Sequence, residues 1–234
     1  MMLAKLKQAL LNLANPERAI QTARFFKTGK GQYGEGDIFI GLSNPQVRTL
    51  VKEYWEKISI DEIQVLVNDE IHEFRFTGLM ILVEKFQKTK SEEERSEMVD
   101  FYLSNVSKIN NWDLVDCSCY KILGEFLLDK DRQVLYDLAA SKHLWSERIA
   151  VVSTMTFIRK GQFLDCFKLS EYFLNHPHDL MHKACGWMLR EIGKRDELAL
   201  EEFLEENLSK MPRTMLRYAI EKMEESKRLS YLKR

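Results

Sequence analysis

Glycine and proline are scarce in this sequence. Average usage would give a chain of this length about 16 glycines and 12 prolines. It has 10 and 4 among 234 residues. So few breakers, in a chain with 30% charged residues, argue against a fold of many short strands and for long helices. Cysteine is also sparse. Cys117, Cys119, Cys166 and Cys185 share no repeated spacing. That excludes a disulfide framework and fits a reduced, intracellular setting. Cys117-x-Cys119 matches neither a zinc knuckle nor a redox C-x-x-C pair. No apolar run approaches the roughly 18 residues of a membrane span. The longest runs only from Gly78 to Val83. Lys5 and Lys7 interrupt the amphipathic N-terminal segment, so no signal peptide and no membrane association are expected. No strand–turn–strand pattern occurs, and the one strand-like segment, Ile38 to Leu42, is short and isolated.

Hydrophobic residues make up 45% of the chain, enough for a substantial core. Helix starts are well marked. Asn15-Pro16-Glu17 combines a cap, a first-turn proline and a first-turn acid, and Asn44-Pro45 repeats the pattern. Ser91-Glu92-Glu93-Glu94 reads as a capping box. Asn111 can cap a helix beginning at Trp112, and Pro212 opens the last one. Between these marks apolar residues recur at three and four, as in Leu135, Leu138 and Ala139. The pattern predicts about twelve helices of roughly 8–18 residues joined by short turns. Many helices with short links suggest helix pairs stacked into an α-solenoid, as in HEAT arrays. No crisp internal repeat is visible, so a plain helical domain stays open. No linker divides the chain, and residues 1–234 are expected to form a single domain.

The net charge is −1, which excludes a surface that is basic throughout. The distribution is uneven. From Glu56 to Asp100 there are 12 acids and 6 bases; from Lys142 to Arg195 there are 5 acids and 9 bases. Within the second stretch, Lys183, Trp187, Arg190 and Lys194 fall within roughly 60° of arc on a helix. Three cations and an indole on one face fit a phosphate backbone with a base or sugar beside it. They fit equally a solvated face whose long stems cover the indole. Arg148 and Arg159, eleven residues apart, share a face to within about 20°. Arg213 and Arg217 are four apart. Helices stacked in register would line these pairs along one concave basic face.

Asn110-Asn111-Trp112-Asp113-Leu114-Val115-Asp116 carries two carboxylates. Asp113 belongs to a first turn, where an acid suits the helix dipole. Asp116 lies deeper, one turn beyond Trp112 and between Val115 and Cys117. An acid there needs a partner or a task, and an ion pair with Arg148 is the plain alternative to catalysis. His176, His178 and His182 read more simply as a turn before a helix than as a metal site. Gly29, Gly31 and Gly34 match G-x-G-x-x-G, but no strand precedes them and no Gly-Lys-Ser/Thr follows. A loop between helices and a backbone-amide contact to phosphate both remain open. No G-x-S-x-G is present.

Taken together, Tyr33–Gly41 (YGEGDIFIG), Asn111–Asp116 (NWDLVD), Arg148–Thr154 (RIAVVST), Lys183–Asp196 (KACGWMLREIGKRD) and Met211–Lys222 (MPRTMLRYAIEK) resemble the AlkD-type alkylpurine DNA glycosylases. The resemblance spans essentially the whole chain. It implies an all-α fold of HEAT-like repeats forming a curved solenoid with a concave basic face. It implies hydrolysis of the N-glycosidic bond of N3- or N7-alkylated purines, such as 3-methyladenine and 7-methylguanine, in duplex DNA. The catalytic aspartate then falls on Asp116, and the lesion-flanking tryptophans on Trp112 and Trp187. Phe25 takes a position where some members carry Tyr, and lacks the hydroxyl. Arg148 takes the DNA-contacting arginine, with Arg159, Lys183, Arg190, Lys194 and Arg213 as further backbone contacts. The resemblance also implies that the lesion stays largely stacked rather than flipped. No metal, cofactor or obligate protein partner is expected, and the chain is expected to act as a monomer in the cytoplasm, beside the nucleoid in a prokaryote. Two other readings are a non-catalytic helical-repeat protein that binds DNA or protein, and a glycosylase that also nicks through a Lys194 Schiff base.

Overall fold

The computed structural model describes residues 2–233. Among these residues the chain is all-helical, as the scarcity of breakers implied. Strand structure is confined to one isolated parallel bridge, Ile38 with Ile71, so the Ile38–Leu42 segment forms no sheet. The helices are α1 (Met2–Asn12), α2 (Pro16–Phe25), α3 (Asn44–Tyr54), α4 (Ile60–Val67), α5 (His72–Lys88), α6 (Glu92–Ser104), α7 (Trp112–Cys119), α8 (Gln133–Ala139), α9 (Leu144–Ser153), α10 (Met155–Arg159), α11 (Leu164–Tyr172), α12 (Asp179–Gly193), α13 (Glu197–Asn207), α14 (Arg213–Ala219) and α15 (Glu225–Lys233). A 3₁₀ turn, Val106–Lys108, precedes α7 and a π-helical turn, Tyr120–Gly124, follows it.

The elements outnumber the expected twelve because some helices break where the hydrophobic pattern does not. The α9–α10 break falls at Thr154, whose hydroxyl donates to the Val151 carbonyl at 2.6 Å. Such back-bonding bends helices. Pro212 opens α14, and α15 follows it, so the proline does not begin the last helix. Two caps also shift. Asn15 caps α2 as expected, its Oδ1 accepting the Arg18 amide at 2.9 Å. The cap of α3, however, is Ser43, with Gln46 Oε1 accepting the Ser43 amide at 2.9 Å. Ser91 caps α6, but Glu94 accepts from the Thr89 hydroxyl instead of closing the capping box.

The chain forms two compact units that meet in sequence at Ser118–Cys119. In the first, α5 is the core element: α3, α4 and α6 pack on it. Its apolar residues surround it on all sides, from Phe74 and Phe76 to Val83 and Phe86, which is the pattern of a fully enclosed helix. In the second, α12 takes that place, packed by α9, α11, α13 and α14.

A close approach of α12 and α14 in the second unit depends on Gly186. A Cβ there would stand 2.5 Å from both the Met215 carbonyl oxygen and the Tyr218 Cβ, on and beside the backbone of α14. Alanine would ordinarily gain up to about 1 kcal/mol in a helix interior. Here overpacking by about 1–3 kcal/mol outweighs that gain. Gly186→Ala is therefore expected to lower stability, read as a lower urea midpoint at unchanged m-value. A raised midpoint would show that α14 yields without strain.

Candidate functional site

The first unit gathers its polar chemistry where α2, the loop before α3, and the starts of α5 and α7 meet. His72 is the centre. It is 2% exposed, and each ring nitrogen meets a carboxylate: Nδ1 to Asp37 Oδ2 at 3.1 Å and Nε2 to Asp113 Oδ2 at 2.9 Å. An ionised carboxylate only accepts, so both nitrogens carry a proton and the ring is an imidazolium. Asp37 is saturated. It accepts from Arg75 at 2.5 Å, Asn110 at 3.1 Å and Asn111 at 2.9 Å as well as from His72. Next to His72, Glu73 accepts the backbone amides of Ile40, Gly41 and Leu42, pinning the loop to α5.

These contacts set the protonation states. Burial alone drives His72 toward its neutral form, but Asp113 and then Asp37 override it and raise the pKa to about 9. Burial likewise opposes ionisation of Asp37. The His72 hydrogen bond, the Arg75 guanidinium and the Asn111 amide override it and lower that pKa to about 2.

Above this network lies an aromatic stack. Phe39 lies over the His72 ring, with centroids 4.4 Å apart, and Phe26 packs on it at 5.2 Å. Trp112 lies flat on Phe26 at 4.8 Å, with planes 4° apart. Phe25 meets Trp112 edge-on at 5.8 Å and is 66% exposed. The expected pair Phe25 and Trp112 is thus brought together, as an open aromatic shelf. Asp116 is half-buried, one helical turn beyond Trp112 on α7. The two carboxylates of α7 separate here: Asp113 is buried on His72, whereas Asp116 reaches the surface.

The Gly29–Gly41 loop is shaped by Gly34, where a Cβ would stand 2.4 Å from the Phe26 carbonyl oxygen and 3.2 Å from Asn111 Nδ2. Its three motif amides are already taken. Gly29 donates to Gln32 Oε1, Gly31 to Glu35 Oε2 at 2.7 Å and Gly34 to the Lys27 carbonyl. With these amides engaged by the loop's own groups, the segment is self-satisfied.

In the second unit, α12 carries the basic stripe at the expected spacing, with Lys194 as its C-terminal cap. Trp187 is half-buried among the cations. Each cation has a carboxylate: Lys183 with Asp179 at 2.7 Å, Arg190 with Glu221, and Lys194 with Glu191 at 2.5 Å. Arg159 is exposed and lies over the Tyr120 ring at 4.9 Å. Arg213 is exposed and donates to the Leu232 carbonyl. Arg148 is the most enclosed of the six cations, 5% exposed, and its Nη1 donates to the Leu180 carbonyl at 2.6 Å beside the first turn of α12. His176 pairs with Glu147 at 3.0 Å, and His182 meets the His176 carbonyl at 2.6 Å. No cluster of three metal-ligating side chains occurs among the described residues. Buried Cys166, its thiol pushed up to about 12 chiefly by desolvation, is no nucleophile.

Sequence reading missed the His72 network. Its signal was a histidine, a glutamate and an arginine within three turns of an otherwise apolar helix, which must bring partners with it when buried. The sign of its pH dependence follows from the raised pKa. The contribution of His72 to stability is full below its ordinary value of about 6.5 and is lost as pH rises through about 9. For a group this buried the loss is on the order of 3 kcal/mol. Urea unfolding at pH 6.5 and 9.5 is expected to show that drop, and an equal midpoint at both would contradict the imidazolium.

Comparison with known proteins agrees with this arrangement of helices. A solved structure described as "Predicted DNA alkylation repair enzyme from Enterococcus faecalis" superposes with a TM-score of 0.72 at 19% identity, covering 91% of this chain and 97% of that one. That likeness establishes the helical-repeat fold. No curated protein matches in sequence. No helix among the described residues is long and apolar enough to cross a membrane. The family model described as DNA alkylation repair enzyme matches residues 6–223, and the chain belongs to that family of repair enzymes.

Proposed function

We propose that the chain is a monofunctional DNA glycosylase that hydrolyses the N-glycosidic bond of cationic N3- and N7-alkylated purines in duplex DNA, acting as a single-domain monomer. The observation that carries this reading is the pairing on α7. Trp112, stacked on Phe26 and edged by exposed Phe25, stands one turn from a half-buried carboxylate, Asp116. Family membership supplies the DNA substrate.

The chemistry suits one carboxylate. An alkylated purine already carries positive charge, so it leaves as a neutral base when the C1′–N bond breaks and its electron pair returns to the ring. No general acid is needed. The sugar becomes oxocarbenium-like. Asp116 stabilises that cation and orients the water whose oxygen bonds to C1′, and its carboxylate accepts the proton the water gives up. Asp113 is unsuited to the task, because His72 holds it in the interior. Indole and phenyl faces attract a cationic base, worth roughly 0.5–2 kcal/mol each. Phe25 and Trp112 take this role in the first unit and Trp187 in the second. An exposed ring edge offers a surface rather than an enclosing pocket, which favours a lesion kept in the stack.

The backbone contacts are assigned to Arg148, Arg159, Lys183, Arg190, Lys194 and Arg213. Phosphates take over these cations from their present partners. An exposed pair such as Lys183 with Asp179 is worth roughly 0–1 kcal/mol, so exchange there costs little, whereas enclosed Arg148 would give up its contact to the Leu180 carbonyl. Lys194 sits as an ammonium against Glu191, whereas a Schiff base needs the free amine. That favours a monofunctional reaction.

Asp116→Asn is expected to lower release of 7-methylguanine from methylated duplex DNA by at least about 100-fold, the scale of losing one electrostatic stabiliser. Duplex affinity should stay within two-fold of wild type. Affinity should also fall steeply with salt as counterions are released. Salt-sensitive binding without release by wild type would favour a non-catalytic DNA-binding member. A flat salt dependence would favour a protein partner.

A further inference from the structure

We propose that His72 is a positioning residue of the base-release site: shared between Asp37 and Asp113 and packed against Phe26, it fixes the ring on which Trp112 stacks and the first turn of the helix that carries Asp116. This rests on the reading above. The geometry makes His72 the point through which three segments are registered. Its amide donates to the Ile38 carbonyl at 2.8 Å, its Nδ1 holds Asp37 of the loop, and its Nε2 holds Asp113 of α7. Asp113 in turn accepts the Leu114 amide at 2.9 Å, and Asn111, which accepts the Trp112 amide at 2.9 Å, donates to Asp37. The side-chain hydrogen bonds at the start of α7 made by Asp113 and Asn111 therefore lead back to one imidazolium.

The ring faces add a second constraint. Phe39 and Phe26 pack on His72, and a cation attracts aromatic faces. Discharging the ring weakens both carboxylate contacts and both ring contacts together. The charged groups around it are Asp37, Asp113, Arg75 on Asp37, and neighbouring Glu73, which faces the Ile40–Leu42 amides. The network has a route to solvent, because Asp37, Arg75 and Asn110 also line an open polar pocket of about 450 Å³. His72 touches neither lesion nor water in this scheme. Its effect reaches the reaction through Trp112 and Asp116.

The test compares wild type with His72→Gln on duplex DNA carrying 7-methylguanine, under single turnover with saturating enzyme, from pH 6.5 to 10. The ratio of the two rates at each pH cancels titration of the lesion itself. At pH 7.5 the variant is expected to be at least ten-fold slower while its duplex affinity stays within two-fold. The ratio is expected to approach one as the pH passes about 9, where wild type loses the same charge. A second arm needs no change at His72. The fluorescence of Trp112, taken as wild type minus Trp112→Phe, is expected to titrate with a midpoint near 9. A folded His72→Gln with the wild-type rate at pH 7.5 overturns the proposal, as does a ratio independent of pH. So does a Trp112 signal that is flat from pH 7 to 10, which also decides the matter if the variant does not fold. Absence of base release by wild type would sink the glycosylase reading alone, with the fluorescence arm still judging His72.

Discussion

The first unit depends on one buried imidazolium. Burying a charged histidine costs several kcal/mol, and burying two aspartates beside it costs more. The cost is offset only if the charges meet their partners in good geometry, and His72 and Asp37 do, although Arg75 Nε and Asn110 Oδ1 beside them are left without a partner. His72 has a carboxylate on each nitrogen, and Asp37 has four donors. Such an arrangement adds little net stability compared with an apolar core of the same volume. It supplies register instead. A loop, α5 and the start of α7 can satisfy these charges in one mutual placement, and any slip would leave an unpaired ion inside.

The two units treat charge in opposite ways, and the difference matches their proposed tasks. In the first unit the charges are interior, and they hold aromatic faces in place. In the second the cations of α12 lie at the surface, each matched to a carboxylate of the same unit. Surface pairs of this kind are weak and exchangeable. A polyanion can replace Asp179, Glu221 or Glu191 without desolvating a buried ion. Trp187, on the same helix, is half-buried.

Local signals in the sequence were legible where local physics decides the outcome. The Asn15 cap, the spacing of Lys183, Trp187, Arg190 and Lys194, and the one-turn separation of Trp112 from Asp116 are all set within a few residues. The α3 cap moved by one residue because Ser43 can engage Gln46, a choice that Asn44-Pro45 alone does not reveal. What stayed hidden were pairings across distance. Asp37 meets His72 from 35 residues away and Asn111 from 74, and no periodicity encodes such contacts. Arg148 was read as a surface cation, yet it is enclosed with the Leu180 carbonyl as one of its partners. Its face on α9 is apolar on both sides, from Trp145 to Val152, which makes burial of that helix the stronger local signal.

The charge balance of the network also bears on the proposed choice of Asp116 over Asp113. Asp37 and Asp113 are matched by His72 and Arg75 while the histidine keeps its proton, and neighbouring Glu73 is met by the Ile40–Leu42 amides. Pairing the two aspartates with cations lowers their repulsion of an approaching phosphate backbone. Removal of the His72 proton would leave one uncompensated negative charge in the interior beneath the aromatic shelf. That charge would oppose an approaching polyanion. The same proton that registers α7 thus keeps the acid of its first turn electrostatically silent. Under the proposed reaction, Asp116, one turn further on, is the carboxylate of that helix that would meet a cationic lesion and an oxocarbenium-like sugar.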